Sequence, residues 1–166
     1  MGFFTGDKMN IGNQSIEIRP IDDNEWEDAM GLAWRTFLRF EGDVYSAEGI
    51  RNFRDFITDQ TLRRMFLAGE YKVYGAFYRG QIVGVASLRN KEHVSLLFVD
   101  ENYHKNGIGR RLLEILKCFE QSIGGYRLTV HSSPYAVGFY HKVGFVDTNI
   151  EQLKDGIAYT PMSWIF

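Results

Sequence analysis

The spacing of apolar residues changes repeatedly along the chain, and each change marks an element of secondary structure. Residues 15–20 alternate between apolar and polar side chains, which predicts a short first strand that Pro20 ends. The next segment has an apolar stripe with helical spacing, formed by Trp26, Met30, Ala33, Trp34 and Phe37. Such a stripe is typical of a helix that packs on a core. Ser46 and Asp59 can each cap a further helix.

Strand patterns dominate from residue 71 onward. Residues 71–78, 81–88 and 93–99 are rich in β-forming side chains and are separated by tight turns, which predicts three antiparallel strands. The remaining predicted elements are a helix over 108–119, a strand over 126–131, a short helix over 135–142 and two strands after Phe145. This order predicts the α/β (α+β) class, with a mixed sheet flanked by helices. We expect residues 1–14 to be a loose N-terminal segment.

Length and composition narrow the classes of protein to which the chain can belong. Its 166 residues fit a single domain over 1–166. Nineteen Lys and Arg against 21 Asp and Glu give a net charge of -2, which argues against nucleic acid or an anionic membrane as a partner. Cys118 is the sole cysteine, and the four histidines lack metal-site spacing, so we expect no metal. With no export signal or membrane segment visible, we expect a cytoplasmic protein.

The segment from Val99 to Leu113 is the first candidate for chemistry. A strand ends there, a loop turns, and Gly107 and Gly109 open a helix. The first N–H groups of a helix have no partner inside it and lie at the positive end of its dipole, so they can bind a diphosphate. The alternative is that the two glycines simply permit a tight turn. The segment lacks the Gly-Lys-Ser/Thr of a Walker loop and the third glycine of a dinucleotide fingerprint.

A second motif follows about 25 residues later. Residues 130–145 read Val-His-Ser-Ser-Pro-Tyr-Ala-Val-Gly-Phe-Tyr-His-Lys-Val-Gly-Phe. Together the two segments resemble the GNAT superfamily of acyl-CoA-dependent N-acetyltransferases, whose paired signatures are Gln/Arg-x-x-Gly-x-Gly/Ala and Ala-x-x-Phe-Tyr-x-Lys-x-Gly-Phe. The resemblance spans residues 15–166 and is specific over 94–146. It implies a mainly antiparallel central sheet of about seven strands, with acetyl-CoA as the acyl donor.

The resemblance places the acetyl-CoA site on both motifs. In such folds two strands splay apart, so that backbone groups hold the pantetheine arm and an N–H near Leu97 or Phe98 polarises the thioester carbonyl. The residues implied to bind the cofactor are Leu97, Phe98, Val99, His104, Lys105, Asn106, Gly107, Ile108, Gly109, Arg110, Ser133, Ala136, Phe139, Tyr140 and Lys142. His104 stands where the family has Gln or Arg, and a neutral imidazole can donate one hydrogen bond to a phosphate. For Lys105 and Arg110 a solvated face is the alternative.

Two residues are implied to be catalytic. Tyr140 matches the motif tyrosine, whose hydroxyl hydrogen-bonds the CoA sulfur and protonates the leaving thiolate; a core tyrosine is the alternative. His93 occupies a position where several family members place a base, and its ordinary pKa of about 6.5 leaves it neutral at pH 7. The alternative is that His93 begins an exposed strand.

The acceptor is less defined by the sequence. Glu41, Asp43 and Tyr45 lie between the first two helices, in a segment that often covers the acceptor site in this family, and carboxylates there would attract a cationic amine. A solvated loop is the alternative. We expect transfer of an acetyl group from acetyl-CoA to a primary amine of a small molecule or protein. The competing hypothesis is a non-catalytic acyl-CoA sensor of the same fold, and a homodimer is compatible with either.

Overall fold

A twisted sheet organises the chain in the computed structural model, which describes residues 6–166. Its strands are β1 (Asp7–Ile11), β2 (Gln14–Pro20), β3 (Lys72–Tyr78), β4 (Gln81–Arg89), β5 (His93–Val99), β6 (Arg127–Ser132), β7 (Val146–Asp147), β8 (Gln152–Lys154) and β9 (Ile157–Ile165). The α-helices are α1 (Trp26–Glu41), α2 (Ala47–Ile57), α3 (Gln60–Leu67), α4 (Ile108–Ser122) and α5 (Val137–Val143). The predicted α/β class and the mixed sheet flanked by helices are confirmed.

The strand order is β1-β2-β3-β4-β5-β6-β9-β7, and β8 pairs with β9. Neighbouring strands are antiparallel, apart from β5 and β6, which run parallel. This parallel ladder is short, because it joins His93 to Thr129 and Val94 to Val130 and then stops. The sheet is therefore open between β5 and β6 beyond Val94.

Helices cover both faces of the sheet because both faces are apolar. On one face, Trp26, Ala29 and Leu32 of α1 pack with residues of α2, α3 and the sheet. On the other face, Leu112 and Leu116 of α4 are fully buried. Burying a side chain of this size stabilises a fold by about 1.5–3 kcal/mol. Within residues 6–166, none of the helices combines the length and the apolar character needed to cross a bilayer.

The N-terminal segment departs from the prediction. Residues 7–11 were expected to be loose and instead form β1, which pairs with β2 across a turn at Gly12 and Asn13. Met9 and Ile11 of this strand pack partly on the core. A five-residue edge strand with two half-buried apolar positions is too short a pattern to distinguish from coil. Residues 1–5 of the same prediction lie outside the described residues.

The strand count also exceeds the expected seven. Within residues 6–166 there are nine strands, because β1 is added and the segment after Phe145 forms three strands in place of two. The extra strand there is the two-residue β7, which pairs with Ser163 and Met162 of β9. Such a short strand leaves almost no periodic signal in the sequence.

Candidate active site

Two adjoining cavities lie where the sheet is open. The first has a volume of about 700 Å³ and extends from β5 along the start of α4 to α5. The second, of about 130 Å³, lies between α1, α2, β5 and β6. Both cavities are lined by the same five residues at their junction, which are Glu41, Leu97, Phe98, Ala136 and Tyr140.

The predicted cofactor residues gather around the first cavity. All of them line it except Asn106 and Ser133. Asn106 is exposed, and its side-chain amide donates to the His104 carbonyl oxygen at 3.1 Å. Ser133 lines the second cavity instead, because the chain leaves β6 on that side. The two motifs, separate in sequence, therefore form opposite walls of one cavity.

The backbone of β5 presents hydrogen-bonding groups to this cavity, and among them the Val99 carbonyl oxygen is the one that accepts from His104 Nε2. On its other side, Asp100 donates its N–H to the Val83 carbonyl oxygen at 2.8 Å. Bonded and non-bonded residue pairs alternate along an antiparallel ladder. Leu97 and Val99 therefore point their N–H and C=O groups toward the opening, whereas Phe98 points its groups toward β4. Of the two amides considered for polarising a thioester carbonyl, the geometry favours that of Leu97.

The start of α4 has the geometry of an anion site. Gly107 caps the helix with φ of 81°, a left-handed conformation that favours glycine. The helix N-terminus and the side chains of Lys105, Arg110 and Lys142 line the first cavity. Arg110 is held in place because its Nη2 donates to the Lys142 carbonyl oxygen at 2.9 Å. Unpaired helix N–H groups with three cations suit a diphosphate, so the residues present fit the expected CoA ligand.

His104 makes a different contact from the one predicted. Its Nε2 lies 2.6 Å from the Val99 carbonyl oxygen, and its ring stacks on Phe40 with centroids 4.8 Å apart. Because a carbonyl only accepts, Nε2 carries the hydrogen of this contact. The Nε2 hydrogen is therefore used within the chain, and a hydrogen bond from His104 to a phosphate remains a prediction.

Tyr140 is buried at the junction of the cavities. Its ring packs edge-on against Phe139 and Phe145, with centroids 5.3 and 5.1 Å away. Burial raises the pKa of its hydroxyl well above the ordinary value, and the nearby Glu41 carboxylate adds to the rise. The hydroxyl consequently stays protonated at neutral pH and is available as a hydrogen-bond donor.

Glu41 is the acidic group at the same junction. Burial raises the pKa of its carboxyl, and the adjacent Ser133 hydroxyl offsets part of the rise. Ser133 Oγ itself is buried and has no hydrogen-bond partner of ordinary geometry in the described chain. Tyr45 also lines the second cavity, whereas Asp43 lines neither. Glu41, Tyr45 and Ser133 thus place oxygen atoms around the second cavity.

His93 lies outside the lining of both cavities, and its role as a base remains a prediction. It lies at the paired end of β5, and the strands separate only after Val94. Its Nδ1 is 2.9 Å from Thr129 Oγ1, and it lines neither cavity. Burial, with the neighbouring His131, lowers the pKa of His93 to about 4. His93 is therefore neutral at pH 7, and its ring lies 4.7 Å from that of His131, which lines the second cavity.

The second cavity also includes His131 and Ser95, which were not predicted as site residues from the sequence. His131 lines it and stacks on Tyr159 with centroids 4.3 Å apart, and burial lowers its pKa. Ser95 also lines it and is held by hydroxyl contacts of 2.8 Å to Tyr71 and 2.7 Å to Ser87. Their position in the sequence could have indicated them, because Ser95 and His131 directly follow the last paired residues of β5 and β6.

The comparisons with known proteins agree with this geometry. A family model described as an acetyltransferase (GNAT) domain matches residues 41–166, which include both motifs and both cavities' shared residues. This chain belongs to the GNAT acetyltransferase family. Acyl transfer is the activity that this membership supports. The Bacillus subtilis (strain 168) protein named "Putative acetyltransferase BSU40680" is 29% identical over 102 residues, which are 58% of this chain and 68% of that protein.

Solved structures of GNAT proteins have the same fold. A GCN5-related N-acetyltransferase from Rhodopseudomonas palustris superposes with a TM-score of 0.78 at 24% identity, covering 95% of this chain and 99% of that one. The PaiA N-acetyltransferase from Thermoplasma acidophilum, solved in complex with coenzyme A, gives a TM-score of 0.74 at 20% identity over 91% and 99% of the two chains.

Metal ligands are absent from the described part of this GNAT chain. Within residues 6–166, no group of three His, Cys, Asp or Glu side chains is placed to hold an ion. A reaction without a metal remains a prediction.

Proposed function

We propose that this protein transfers the acetyl group of acetyl-CoA to a primary amine. The observation that supports this most strongly is the junction of the two cavities at Glu41 and Tyr140. One cavity is long and ends at an anion-binding helix start, which suits the CoA chain. The other is small and carries a carboxylate, which suits an amine. Reactants bound in both would meet beside a proton donor and a proton acceptor.

The residues around the first cavity have distinct parts in binding the donor. The α4 N-terminus with Lys105, Arg110 and Lys142 binds the diphosphate. The Leu97 carbonyl oxygen and the Val99 N–H pair with the amides of the pantetheine arm. The N–H of Leu97 donates to the thioester carbonyl oxygen, where negative charge develops in the transition state. Acetyl-CoA supplies the activated acyl group.

Glu41 and Tyr140 at the junction of the cavities transfer the protons of the reaction. An alkylamine with a pKa of about 10.4 must lose a proton at a cost of about 4.6 kcal/mol at pH 7 before its nitrogen can attack. Glu41 binds the ammonium group and provides a proton acceptor. When the C–N bond forms and the C–S bond breaks, Tyr140 donates its hydrogen to the departing sulfur. The first proton that the nitrogen loses leaves through Glu41 to solvent, and the second restores the Tyr140 hydroxyl, so the products are the amide, CoA thiol and one proton.

A non-catalytic acyl-CoA sensor is the less favoured hypothesis, since the matched family and the superposed structures are acetyltransferases. A cytoplasmic location, a homodimer and the absence of nucleic acid and membrane partners remain predictions.

An assay of CoA thiol release separates the two hypotheses. With acetyl-CoA and a panel of primary amines, we expect thiol release that depends on the amine and is lost in Glu41→Gln. Tight binding of acetyl-CoA with no amine-dependent release from any acceptor would support the sensor.

A further inference from the structure

Ser133 occupies a helix-capping position but does not act as a cap. It precedes the 3₁₀ turn Pro134–Ala136, where a serine hydroxyl commonly accepts a backbone N–H of the first turn. The Ser133 side chain makes no such bond. The backbone holds the turn instead, because the Ala136 N–H donates to the Ser133 carbonyl oxygen at 3.1 Å. The local fold therefore leaves the Ser133 hydroxyl available for another partner.

The backbone around Ser133 fixes its position at the second cavity. Its carbonyl oxygen also accepts the Ser132 hydroxyl hydrogen at 2.9 Å, and Pro134 keeps the Ser133 backbone extended, with ψ of 156°. Ser133 is only 9% exposed, and its Oγ has no hydrogen-bond partner of ordinary geometry within residues 6–166. A buried hydroxyl without a partner destabilises a fold, so this one indicates a functional contact.

Glu41 is the charged group that this hydroxyl acts on. Both residues line the second cavity. The Ser133 hydroxyl lowers the pKa of the Glu41 carboxyl, against the larger rise that burial causes. A hydroxyl has this effect when it donates its hydrogen to the ionised carboxylate. Catalytic hydrogen bonds often reach their ordinary geometry only when the substrate is bound.

Other ionisable side chains share a cavity with Glu41. In the second cavity these are Tyr45 after α1, His131 of β6 and Tyr140 of α5. In the first cavity they are Tyr103, His104, Lys105, Arg110, Tyr135 and Lys142. Burial raises the pKa of both tyrosines of the second cavity, and burial together with the Lys154 charge lowers the pKa of His131. Among the described residues, Ser133 is the side chain that favours the charged form of Glu41.

We propose that Ser133 is a positioning residue for Glu41: its hydroxyl donates to the carboxylate and holds it in the form and orientation that accept a proton from the amine. This inference rests on the proposed acetyl transfer and adds a second residue to the proton acceptor. It assigns Ser133 to the acceptor side of the site, whereas the sequence motif implies a contact with acetyl-CoA. The lining of the cavities supports this assignment, because Ser133 lines the second and not the first.

Titration of the Glu41 carboxyl measures the contact without any turnover. In protein with ¹³C-labelled glutamate side chains, the Glu41 carboxyl signal is the one missing from the spectrum of Glu41→Gln. We expect Ser133→Ala to raise the pKa of Glu41 by about one pH unit, because the carboxylate loses a hydrogen bond. Ser133→Thr keeps a hydroxyl and should restore the parent value. Ser163→Ala is the control and should also keep it, because Ser163 is buried in β9 and lines neither cavity.

The pH profile of the reaction tests whether the contact serves catalysis. Dividing kcat/KM of Ser133→Ala by that of the parent protein, at each pH and with the same amine, cancels the ionisation of the amine itself. We expect this ratio to be about one at alkaline pH and about one tenth at pH values below the pKa of Glu41, because about tenfold fewer carboxylates are then ionised. The KM for acetyl-CoA should not change, and Ser133→Thr should follow the parent profile.

Three results would overturn this inference. The first is an unchanged pKa of Glu41 in Ser133→Ala. The second is a raised pKa with a ratio of one at every pH, which would remove the contact from catalysis. The third is a raised KM for acetyl-CoA with a ratio that does not depend on pH, which would place the hydroxyl on the donor.

Two further points keep the test decisive. If alanine at position 133 prevents folding, Ser133→Cys has a similar size and a weaker donor, and the same two measurements on it decide the question. Absence of thiol release with every amine, despite binding of acetyl-CoA, would refute the proposed function itself. The titration of Glu41 does not depend on turnover, so it separates that failure from a failure of the contact.

Discussion

Tyr140 combines a motif position with a location between the two cavities. Replacement by Phe removes one hydroxyl and keeps the ring that packs on Phe139 and Phe145. If the hydroxyl assists departure of the thiolate, Tyr140→Phe should lower kcat by about 10²–10⁴-fold with little change in the KM for acetyl-CoA. Steady-state kinetics measure both. Tyr126→Phe, at an exposed tyrosine outside both cavities, should keep the parent kcat. Equal kcat values for Tyr140→Phe and the parent protein would reject this role.

The buried Glu41 carboxylate is expected to lower the stability of the folded protein at neutral pH. Its pKa is raised above the ordinary 4.5 by burial, so the folded protein holds this proton more tightly than the unfolded chain does. The stability that the protonated Glu41 carboxyl gives the folded protein is therefore fully present below pH 4.5. It is lost as the pH rises through the raised pKa. Glu41→Gln, which has no such proton to lose, should be more stable than the parent protein at pH 7.5, with the difference vanishing near pH 4.

Urea denaturation at the two pH values measures this effect. Glu151→Gln, at an exposed carboxylate, should leave the stability unchanged at both. If Glu41→Gln is no more stable than the parent protein at pH 7.5, burial of the Glu41 carboxylate does not destabilise the folded protein.

At the scale of elements, the start of α4 forms part of the proposed acetyl-CoA site. Gly109 lies in the first turn of that helix, and a Cβ there would stand 3.2 Å from the ring of Phe139. Valine at this position must displace the ring into the first cavity. Gly109→Val should therefore raise the KM for acetyl-CoA far more than that for the amine.

Gly31→Val controls for the general effect of replacing a helical glycine. Gly31 is exposed in α1, and nothing lies within 4 Å of its added Cβ. This control should keep both KM values. An unchanged KM for acetyl-CoA in folded Gly109→Val would place the donor elsewhere.

The elements that the sequence predicted well are those with long periodic patterns or motifs. The stripes of α1 and α4, the strands β3 to β6 and the glycines before α4 all follow from local spacing. The contacts of His93 and His104 do not, because a side chain's partner across the fold leaves no local pattern. The point at which β5 leaves β6 decides that His131 and not His93 lines a cavity, and it depends on pairing between strands 36 residues apart.

At the scale of the whole molecule, the opening in the sheet lets its two faces meet. Phe40 at the end of α1 comes from one face, and its ring lies 5.3 Å from that of Tyr135, which precedes α5 on the other face. A closed sheet would separate these groups. Because acetyl-CoA would bridge them, its binding should stabilise the fold as a unit.

Thermal unfolding measures this stabilisation. At a ligand concentration of 100 times Kd, linkage gives about 2.7 kcal/mol, which corresponds to a rise in Tm of about 5–10 °C for a chain of this size. Acetyl-CoA and CoA should raise the Tm, and NAD should not. An equal rise with NAD, or none with millimolar CoA, would contradict the donor site.

Transfer of a labelled acetyl group tests the central claim most directly. The protein is incubated with acetyl-CoA carrying ¹³C in its acetyl group and with the primary amine that gives the fastest release of CoA thiol, and the products are identified by mass spectrometry. We predict the labelled N-acetyl amide of that amine and free CoA in equal amounts, formed by the parent protein and at most weakly by Glu41→Gln and Tyr140→Phe. Release of CoA with labelled acetate and no labelled amide, from any primary amine supplied, would contradict transfer to an amine.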